Sequence, residues 1–406
     1  MWIRRLASAA LATLATLGVA APFIPPGYAQ SAAPPQFAFS VTPVTFMNGD
    51  VTLSGGLVMP AEKGAFPAVV IVHGAGPATF DEPAFRMHAN AFVRAGFAVL
   101  LFDKRGSGKS TGNLDTADYD DLAADVSAGV SFLRARADIV PHKIGLLGRS
   151  EGGWIGTLTA GRDSAIAFVI MSSGSAVAPY DQTLWYSQNA LRAHGATADE
   201  IKQGVAAKAA LWSYYRDVAK DPAWARSAPG LAERETVEKR LKSFARFVPE
   251  IPQRVANPLE ISPAFFQAFT RKIYFEPAPA FHALKVPLLE IIGDKDDVVE
   301  PAGTVSELER LRSLGLNVTI RILPNVDHSL IVKTDSGPRY PEDYPEFAVR
   351  WARVQIEQVG LRRRRSRIGE HMWEQMGSDR GIPRFADGNA ETSRHPRQVS
   401  ILSIEP

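Results

Sequence analysis

The sequence predicts an α/β fold in which a mostly parallel sheet of about eight strands carries an inserted helical cap. Short, nearly uninterrupted apolar runs alternate with segments of helical spacing, and such runs are typical of strands buried on both faces of a parallel sheet. Between Met171 and Pro287 this alternation stops, and more than 100 residues contain no convincing strand. Because a structureless loop of that length is implausible in a compact domain, we expect helices there.

The predicted strands begin with an N-terminal hairpin. Phe37–Phe46 and Val51–Met59 have the pattern of strands, and Asn48-Gly49-Asp50 between them is a tight-turn signal. The hairpin is expected at one edge of a parallel core. Six later apolar runs predict that core: Ala68–Val72, Ala98–Phe102, Ile144–Leu147, Phe168–Met171, Leu288–Ile292 and Val318–Leu323.

Helices are predicted between these strands and in the insertion. Pro83–Arg94 has helical spacing and stops before Gly96, and Tyr119–Arg136 is amphipathic. The cap is expected to occupy about residues 176 to 280, where Ala190–Lys220 and Leu231–Phe247 have helical character. The cap is rich in Trp, Tyr and Phe, which indicates either an apolar acyl or aryl pocket or the cap's own core.

Both ends of the chain are predicted to lie outside a catalytic domain of residues 37–360. Arg4 and Arg5 precede the apolar run Leu6–Ile24, and small residues around Ala29 complete the pattern of a signal peptide over residues 1–29. We therefore expect a periplasmic or secreted protein, with membrane association only if this segment is retained. Residues 30–36 are expected to form a linker. Residues 361–406 begin with a basic run and lack periodicity, which predicts a disordered tail.

Composition excludes several classes of function. The length of 406 residues suits one large domain with an insertion. The formal net charge of +2 is nearly balanced, whereas nucleic-acid binding needs a concentrated basic face, so no nucleic-acid partner is expected. The chain has no cysteine, which excludes disulfides, thiolate metal sites and a cysteine nucleophile. It also has no H-E-x-x-H motif and no clustered histidines, and we expect neither a metal nor another cofactor.

The candidate nucleophile is Ser150. It lies in a G-x-S-x-G pattern that follows the apolar run Ile144–Leu147 and precedes residues compatible with a helix. A nucleophile elbow requires this order of strand, turn and helix, and the glycines allow a strained turn in which other side chains would clash. At the start of a helix, Ser150 would stand where free backbone N–H groups favour developing negative charge. The pattern reads Gly148-Arg149-Ser150-Glu151-Gly152.

A serine hydroxyl needs a base, and His328 is the candidate. It follows the last predicted strand, from which it can reach over the carboxyl end of the sheet, where ligands bind in such folds. The remaining histidines lie too early in the chain, in or beside the cap, or in the tail: His73, His88, His142, His194, His282, His371 and His395.

The acid that orients His328 is expected after the strand Leu288–Ile292, where Asp294, Asp296 and Asp297 compete. Its task is to fix the imidazole tautomer and to stabilise the imidazolium. Since neighbouring residues of an extended backbone point in different directions, Asp296 and Asp297 cannot both meet the histidine comfortably, but direction alone does not exclude Asp294.

An oxyanion hole is predicted from two backbone N–H groups. Glu151 follows the nucleophile, and Ala75 lies in the glycine-containing turn after the first core strand. Gly74 and Gly76 on either side of Ala75 permit close approach of the backbone.

Taken together, these motifs resemble the α/β-hydrolase superfamily, and in particular bacterial serine aminopeptidase-like or dipeptidyl-peptidase-like hydrolases. The resemblance covers about residues 40 to 360. It implies a helical cap at this position, and it implies that Asp296, three residues after Gly293, is the acid. It rests on five segments: His73–Pro77, Asp103–Ser110, Gly148–Gly153, Gly293–Asp296 and Asp327-His328.

The resemblance implies hydrolysis through an acyl-enzyme but does not identify the substrate. A small-molecule ester is the favoured substrate, since a leaving alcohol asks less of the site than an amine. A peptide, with the terminal amine held by cap carboxylates, and a thioester are the alternatives. A catalytically silent binding protein on the same fold is a further one. Nucleotide binding has little support because Asp103 stands where a P-loop requires glycine.

Overall fold

A computed structural model describes residues 36–244, 247, 255–335 and 337–360. The predicted signal peptide, the linker apart from Gln36, and the C-terminal tail lie outside the described residues. The strands are β1 (Val41–Asn48), β2 (Val51–Val58), β3 (Phe66–Val72), β4 (Ala98–Phe102), β5 (Ile139–Arg149), β6 (Val169–Ser172), β7 (Leu288–Gly293), β8 (Val318–Leu323), β9 (Val332–Thr334) and β10 (Gly337–Arg339).

The described helices surround this sheet or lie between its strands in sequence. They are α1 (Pro83–Arg94), α2 (Tyr119–Arg134), α3 (Glu151–Arg162), α4 (Pro179–Ala193), α5 (Ala198–Lys220), α6 (Pro222–Ala225), α7 (Ala228–Lys242), α8 (Pro263–Ile273), α9 (Ala278–Ala283), α10 (Pro301–Ser313) and α11 (346–360).

The main sheet has eight strands in the order β1-β2-β4-β3-β5-β6-β7-β8. The six strands β4, β3, β5, β6, β7 and β8 pair in parallel. Strands β1 and β2 form an antiparallel hairpin, and β2 joins the sheet by pairing antiparallel with β4. The predicted fold class, including the edge hairpin, is therefore confirmed. The parallel strands all end at one edge, which brings the loops after β3, β5, β7 and β8 together.

Two hydrophobic cores cover the two faces of the sheet. On one face, α2, α3, α9 and α10 contribute side chains such as Leu122, Ile155 and Leu308. On the other face, α1 and α11 contribute Phe92 and Ala352. Strands buried on both sides explain why the sequence shows continuous apolar runs rather than alternation.

Helices α4–α8 lie between β6 and β7 and share a third hydrophobic core of their own. Several of the aromatic residues noted in the sequence build this core. The Trp212 ring lies 5.2 Å from the Phe269 ring, and the Tyr215 ring lies 5.3 Å from that of Phe266. These buried rings are thus cap core rather than a substrate pocket.

The segment Ala190–Lys220, predicted to be helical throughout, is broken between α4 and α5. Gly195 adopts a positive φ of 82° after α4. Thr197 then caps α5 in a capping box, in which the Thr197 hydroxyl accepts a hydrogen bond from the Glu200 N–H and the Glu200 carboxylate accepts one from the Thr197 N–H. The glycine is a signal for the end of a helix, and the Thr-x-x-Glu pattern is a signal for the start of one, and both are visible in the sequence.

The glycine-rich turn after β4 contains Asp103, whose carboxylate is bound by backbone N–H groups. Asp103 accepts hydrogen bonds from the backbone N–H groups of Phe80 and Lys109 at 2.9 and 2.8 Å. Gly108 has a φ of 53°, and a Cβ there would lie 2.2 Å from an Asp103 oxygen. This carboxylate occupies the backbone N–H groups that could otherwise hold a phosphate, so the turn has a structural role.

A buried ion pair lies next to this turn. Arg105 donates two hydrogen bonds to the Asp125 carboxylate on α2, at 2.6 and 2.7 Å. The same carboxylate accepts a hydrogen bond from the Asn48 side chain at the end of β1. The pair thus fastens the hairpin and α2 to the turn after β4.

Two buried histidines predict how stability depends on pH. Burial lowers the pKa of His88 to about 4 and that of His73 to about 3, against an ordinary value of about 6.5 in the unfolded chain. As pH falls from 6.5 toward 4, the unfolded chain binds protons that the native state excludes. The free energy of unfolding should therefore fall, by at most about 1.4 kcal/mol per pH unit for each histidine.

His88→Gln should flatten this dependence between pH 6.5 and 5, as measured by urea unfolding at a series of pH values. The corresponding substitution at the exposed His194 controls for the loss of an imidazole. A slope of unfolding free energy against pH that His88→Gln leaves unchanged would show that His88 takes up its proton in the native state.

Candidate active site

Ser150 stands in a sharp turn between β5 and α3. Its φ is 53°, a left-handed conformation that costs a residue with a side chain about 1–3 kcal/mol and is concentrated at functional sites. The turn is held by hydrogen bonds from the Ser150 N–H to the Ser172 carbonyl and from the Gly153 N–H to the Ser150 carbonyl, at 2.9 and 2.8 Å.

The two glycines of the pentapeptide are required by close contacts of the backbone. A Cβ at Gly148 would lie 2.0 Å from the Gly152 carbonyl oxygen, and a Cβ at Gly152 would lie 2.5 Å from the Val72 carbonyl oxygen. Helix α3 therefore begins directly against the ends of β5 and β3. This packing places the Ser150 side chain at the carboxyl edge of the sheet.

The structure brings Ser150, His328 and Asp296 together in one chain of hydrogen bonds. His328 Nε2 lies 3.1 Å from Ser150 Oγ, and His328 Nδ1 lies 2.9 and 3.0 Å from the two Asp296 carboxylate oxygens. With the carboxylate accepting from Nδ1–H, Nε2 is left as the acceptor for the serine hydroxyl.

Of the three competing aspartates, Asp296 is the one that faces His328. Its side chain is fully buried and accepts hydrogen bonds from the backbone N–H groups of Val298 and Val299, at 2.9 and 2.8 Å. Asp294 instead accepts from the backbone N–H of Asn325 at 2.6 Å and bridges the loops after β7 and β8. For Asp297, burial and the nearby Asp296 carboxylate raise the pKa.

The loop that carries His328 is organised by its neighbour Asp327. One Asp327 carboxylate oxygen accepts hydrogen bonds from the backbone N–H groups of Ser329 and Ile331, at 2.9 and 3.0 Å. Gly293 lets this loop approach β7, since a Cβ there would lie 2.0 Å from the Val326 carbonyl oxygen. The Asp327 hydrogen bonds and the close approach to Gly293 together hold the loop that positions the His328 imidazole.

The predicted oxyanion donors lie beside Ser150. Glu151 is the first residue of α3, and Gly74, which precedes Ala75, stands so close that a Cβ on it would lie 3.5 Å from Ser150 Cβ. Within the described part of the chain, neither the Ala75 nor the Glu151 backbone N–H has a hydrogen-bond acceptor. Both are therefore free for an oxygen bound next to Ser150.

An ion pair between two charged side chains, those of Lys104 and Glu151, lies next to these donors. Lys104 Nζ donates to the Glu151 carboxylate at 2.7 Å and to the Gly74 carbonyl at 2.8 Å, and both side chains of this ion pair are nearly buried. Although burial alone would raise the pKa of Glu151, the Lys104 and Lys272 ammonium groups hold it below its ordinary value. Lys104 lies in a motif that the sequence marked only by resemblance.

A second unassigned carboxyl lies within β7. Glu290 is fully buried, and one of its oxygens accepts a hydrogen bond from the Gly174 N–H at 3.2 Å. Burial, together with the nearby Asp296 carboxylate, raises the pKa of Glu290 well above its ordinary value, which favours its neutral form. A single polar residue in an apolar run gave no signal in the sequence.

Among the described residues, no group of three or more histidine, aspartate or glutamate side chains is arranged to hold a metal ion. Nor does any described helix combine the length and apolarity needed to span a membrane.

The sheet order, the elbow and the loops above it define the class of protein as an α/β-hydrolase. The profile of the family described as "Serine aminopeptidase, S33" matches residues 65–335, about two thirds of the chain. The chain belongs to this family, as its motifs predicted, and it has the α/β-hydrolase fold.

Curated relatives match over shorter stretches. The chain is 32% identical over 128 residues to a quorum-quenching protein, AidA, of Acinetobacter baumannii, and 29% identical over 140 residues to the esterase EstD of Thermotoga maritima. These matches cover 31% and 32% of this chain but only 41% and 34% of the two relatives. A solved structure of DcsB in complex with a substrate analogue has a TM-score of 0.50 at 17% identity, covering 79% of this chain and 99% of that one. At this identity the likeness shows the fold.

The glycine contacts in the elbow predict opposite effects for two substitutions in one helix. Gly152→Ala should destabilise the protein by about 3 kcal/mol or more, because the new Cβ collides with backbone oxygens that cannot move aside. Gly156→Ala in the same helix meets its nearest atom at 3.9 Å and should raise stability by up to about 1 kcal/mol, as alanine favours helix. Thermal unfolding of both variants tests this, and equal effects would contradict the packing described here.

Proposed function

We propose that this protein hydrolyses carboxylic esters through an acyl-enzyme on Ser150, with His328 as general base and Asp296 as the acid that orients it. The observation that carries the proposal is the continuous hydrogen-bond chain from Ser150 Oγ through the imidazole to the buried Asp296 carboxylate. A serine, a base and an orienting acid within hydrogen-bond reach are the requirement for nucleophilic catalysis by a hydroxyl.

The reaction takes place in two halves. His328 Nε2 removes the proton from Ser150 Oγ, which attacks the ester carbonyl carbon, and the resulting oxyanion accepts hydrogen bonds from the Ala75 and Glu151 N–H groups. The imidazolium then gives its proton to the leaving alkoxide, which departs as an alcohol. Water repeats the attack on the acyl-enzyme, His328 again takes and returns the proton, and the carboxylic acid leaves.

The charge around the site supports an ester rather than a free amino terminus as substrate. The Glu151 carboxylate, next to the nucleophile, is already paired with Lys104, and Lys272 of the cap adds a further positive charge in its electrostatic range. In the cap, Glu260 and Glu276 are exposed, and the Glu200 carboxylate caps α5. Glu250 lies outside the described residues.

Aminopeptidase activity is the second candidate. The family description favours it, and so does the half-buried Glu82 at the start of α1, which lies in electrostatic range of Arg149 beside the nucleophile. Such a carboxylate is of the kind that holds a substrate ammonium group. A thioester substrate requires the same nucleophile and oxyanion donors, so acyl thioesters are included in the substrate screen below.

We further propose that the protein is exported, because residues 1–29 have the pattern of a cleavable signal peptide. The mature protein recovered from the periplasm or medium should then begin at Gln30. Recovery of the full-length chain from the cytoplasm would contradict export.

Substitutions in the proposed triad should separate the three competing aspartates. Ser150→Ala should lower ester hydrolysis by about 10⁴- to 10⁶-fold and abolish covalent labelling by a fluorophosphonate. Asp296→Asn should cost about 10⁴-fold, because the amide favours the wrong imidazole tautomer.

Asp294→Asn is the matched control, since asparagine still accepts the Asn325 hydrogen bond, and it should cost less than about tenfold. Labelling that survives Ser150→Ala, or a severe Asp294→Asn beside a mild Asp296→Asn, would refute these roles.

A substrate screen should separate the candidate activities. Purified protein should cleave p-nitrophenyl esters of acyl chains of varied length with a kcat/KM well above that for aminoacyl p-nitroanilides and acyl thioesters. A preference for aminoacyl anilides that is lost in Glu82→Gln would instead establish the aminopeptidase.

A further inference from the structure

The ion pair behind the site contacts the carbonyl of the Gly74–Ala75 peptide and includes the side chain of Glu151, so it is linked to both predicted oxyanion donors. Lys104 Nζ is hydrogen-bonded to the Gly74 carbonyl oxygen at 2.8 Å and to a Glu151 carboxylate oxygen at 2.7 Å. Gly74 supplies the carbonyl of the peptide group whose N–H belongs to Ala75. Glu151 supplies the other N–H from its own backbone. One ammonium group therefore connects the two loops that meet at Ser150.

The first of these contacts fixes the direction of a donor. The Gly74–Ala75 peptide is trans, so its C=O and N–H point in opposite directions. With the carbonyl directed at Lys104, the Ala75 N–H must point away from Lys104, and Gly74 stands against Ser150. The turn contains glycine on both sides of Ala75 and could otherwise rotate this peptide plane easily.

The second contact fixes where the ammonium group itself stands. Lys104 has a flexible stem, and its position depends on the Glu151 carboxylate, which extends from the first turn of α3. The Tyr119 hydroxyl lies beside the same carboxylate, and burial together with that negative charge raises the pKa of Tyr119. Although burial opposes it, the Lys104 and Lys272 ammonium groups lower the pKa of Glu151, which favours the ionised carboxylate.

We propose that Lys104 is a positioning residue that, together with the Glu151 side chain, sets the geometry of the oxyanion hole. The ion pair holds the Ala75 and Glu151 N–H groups in a fixed position and orientation relative to each other. The ammonium group also polarises the Gly74–Ala75 peptide, so that the Ala75 N–H becomes a stronger donor. This inference rests on the proposed function, because the oxyanion forms on the carbonyl that Ser150 attacks.

The test compares two neighbouring buried ion pairs. Lys104→Met removes the ammonium group behind the donors, and Arg105→Met removes the partner of Asp125, which contacts neither donor. Each variant would be titrated with a fluorophosphonate to count active sites. Its kcat and KM would be measured with p-nitrophenyl butyrate, and its inhibition constant with phenylboronic acid, which forms a tetrahedral adduct on a nucleophilic serine.

Per active site, Lys104→Met should lower kcat by about 10- to 100-fold with KM changed less than about threefold, since a displaced donor costs less than the 10²–10³-fold of a deleted one. The inhibition constant of the boronic acid should rise by a similar factor. Arg105→Met should lower stability but leave kcat per site within about threefold of the wild type. Lys104→Arg, which retains the cation, should recover part of the loss.

An unchanged kcat per site in Lys104→Met would overturn the proposal, as would an equal fall in Arg105→Met. If Lys104→Met yields no folded protein, Glu151→Gln decides the question, because it removes the negative charge on which the position of Lys104 depends. A lowered kcat with parallel loss of boronate affinity then supports the proposal, and wild-type values overturn it. Full activity in Ser150→Ala is a separate result that would remove the proposed function itself.

Discussion

The close packing of α3 against the ends of β3 and β5 determines where the reactive groups of this protein stand. Without side chains at Gly148 and Gly152, the helix starts in direct contact with strand carbonyls. Ser150 is thereby forced into a left-handed turn with its side chain raised above the edge of the sheet. The strain in this turn is offset by backbone hydrogen bonds and by the burial of α3 in one of the two sheet cores.

Around this fixed point, the loops at the carboxyl edge share one device. Those after β4, β7 and β8 each contain an aspartate whose carboxylate accepts hydrogen bonds from backbone N–H groups of its own or a neighbouring loop. Such a carboxylate replaces water as the partner of turn N–H groups and holds a short loop in one conformation. The residues that do so are Asp103, Asp294, Asp296 and Asp327.

Asp296 combines this structural task with contact to the imidazole, while Asp294 and Asp327 serve the loops alone. The division explains why Asp294, two residues before Asp296, pairs with the backbone of the loop after β8 and not with His328. Glu290, a neighbour of Asp296 that is buried in β7, has its pKa raised well above the ordinary value by burial, which favours a neutral carboxyl there.

The sequence determined the strands, the elbow and the histidine because each depends on local pattern and chain order. Doubly buried strands give apolar runs, and His328 lies in the loop directly after the last strand of the sheet. The choice of Asp296 required knowledge of which backbone N–H groups hold each aspartate, and the residues alone left Asp294 open. The contacts of Lys104 could not be predicted for a similar reason, because its partners lie 30 and 47 residues away in the chain.

Trapping the covalent intermediate on Ser150 tests the proposed function most directly. The enzyme would be mixed with excess p-nitrophenyl butyrate, quenched in acid within milliseconds and analysed by intact and peptide mass spectrometry. We predict a transient mass increase of one butyryl group, located on the peptide that contains Ser150 and absent in Ser150→Ala. Ester turnover without any acyl adduct on Ser150, or with an adduct on another residue, would contradict it.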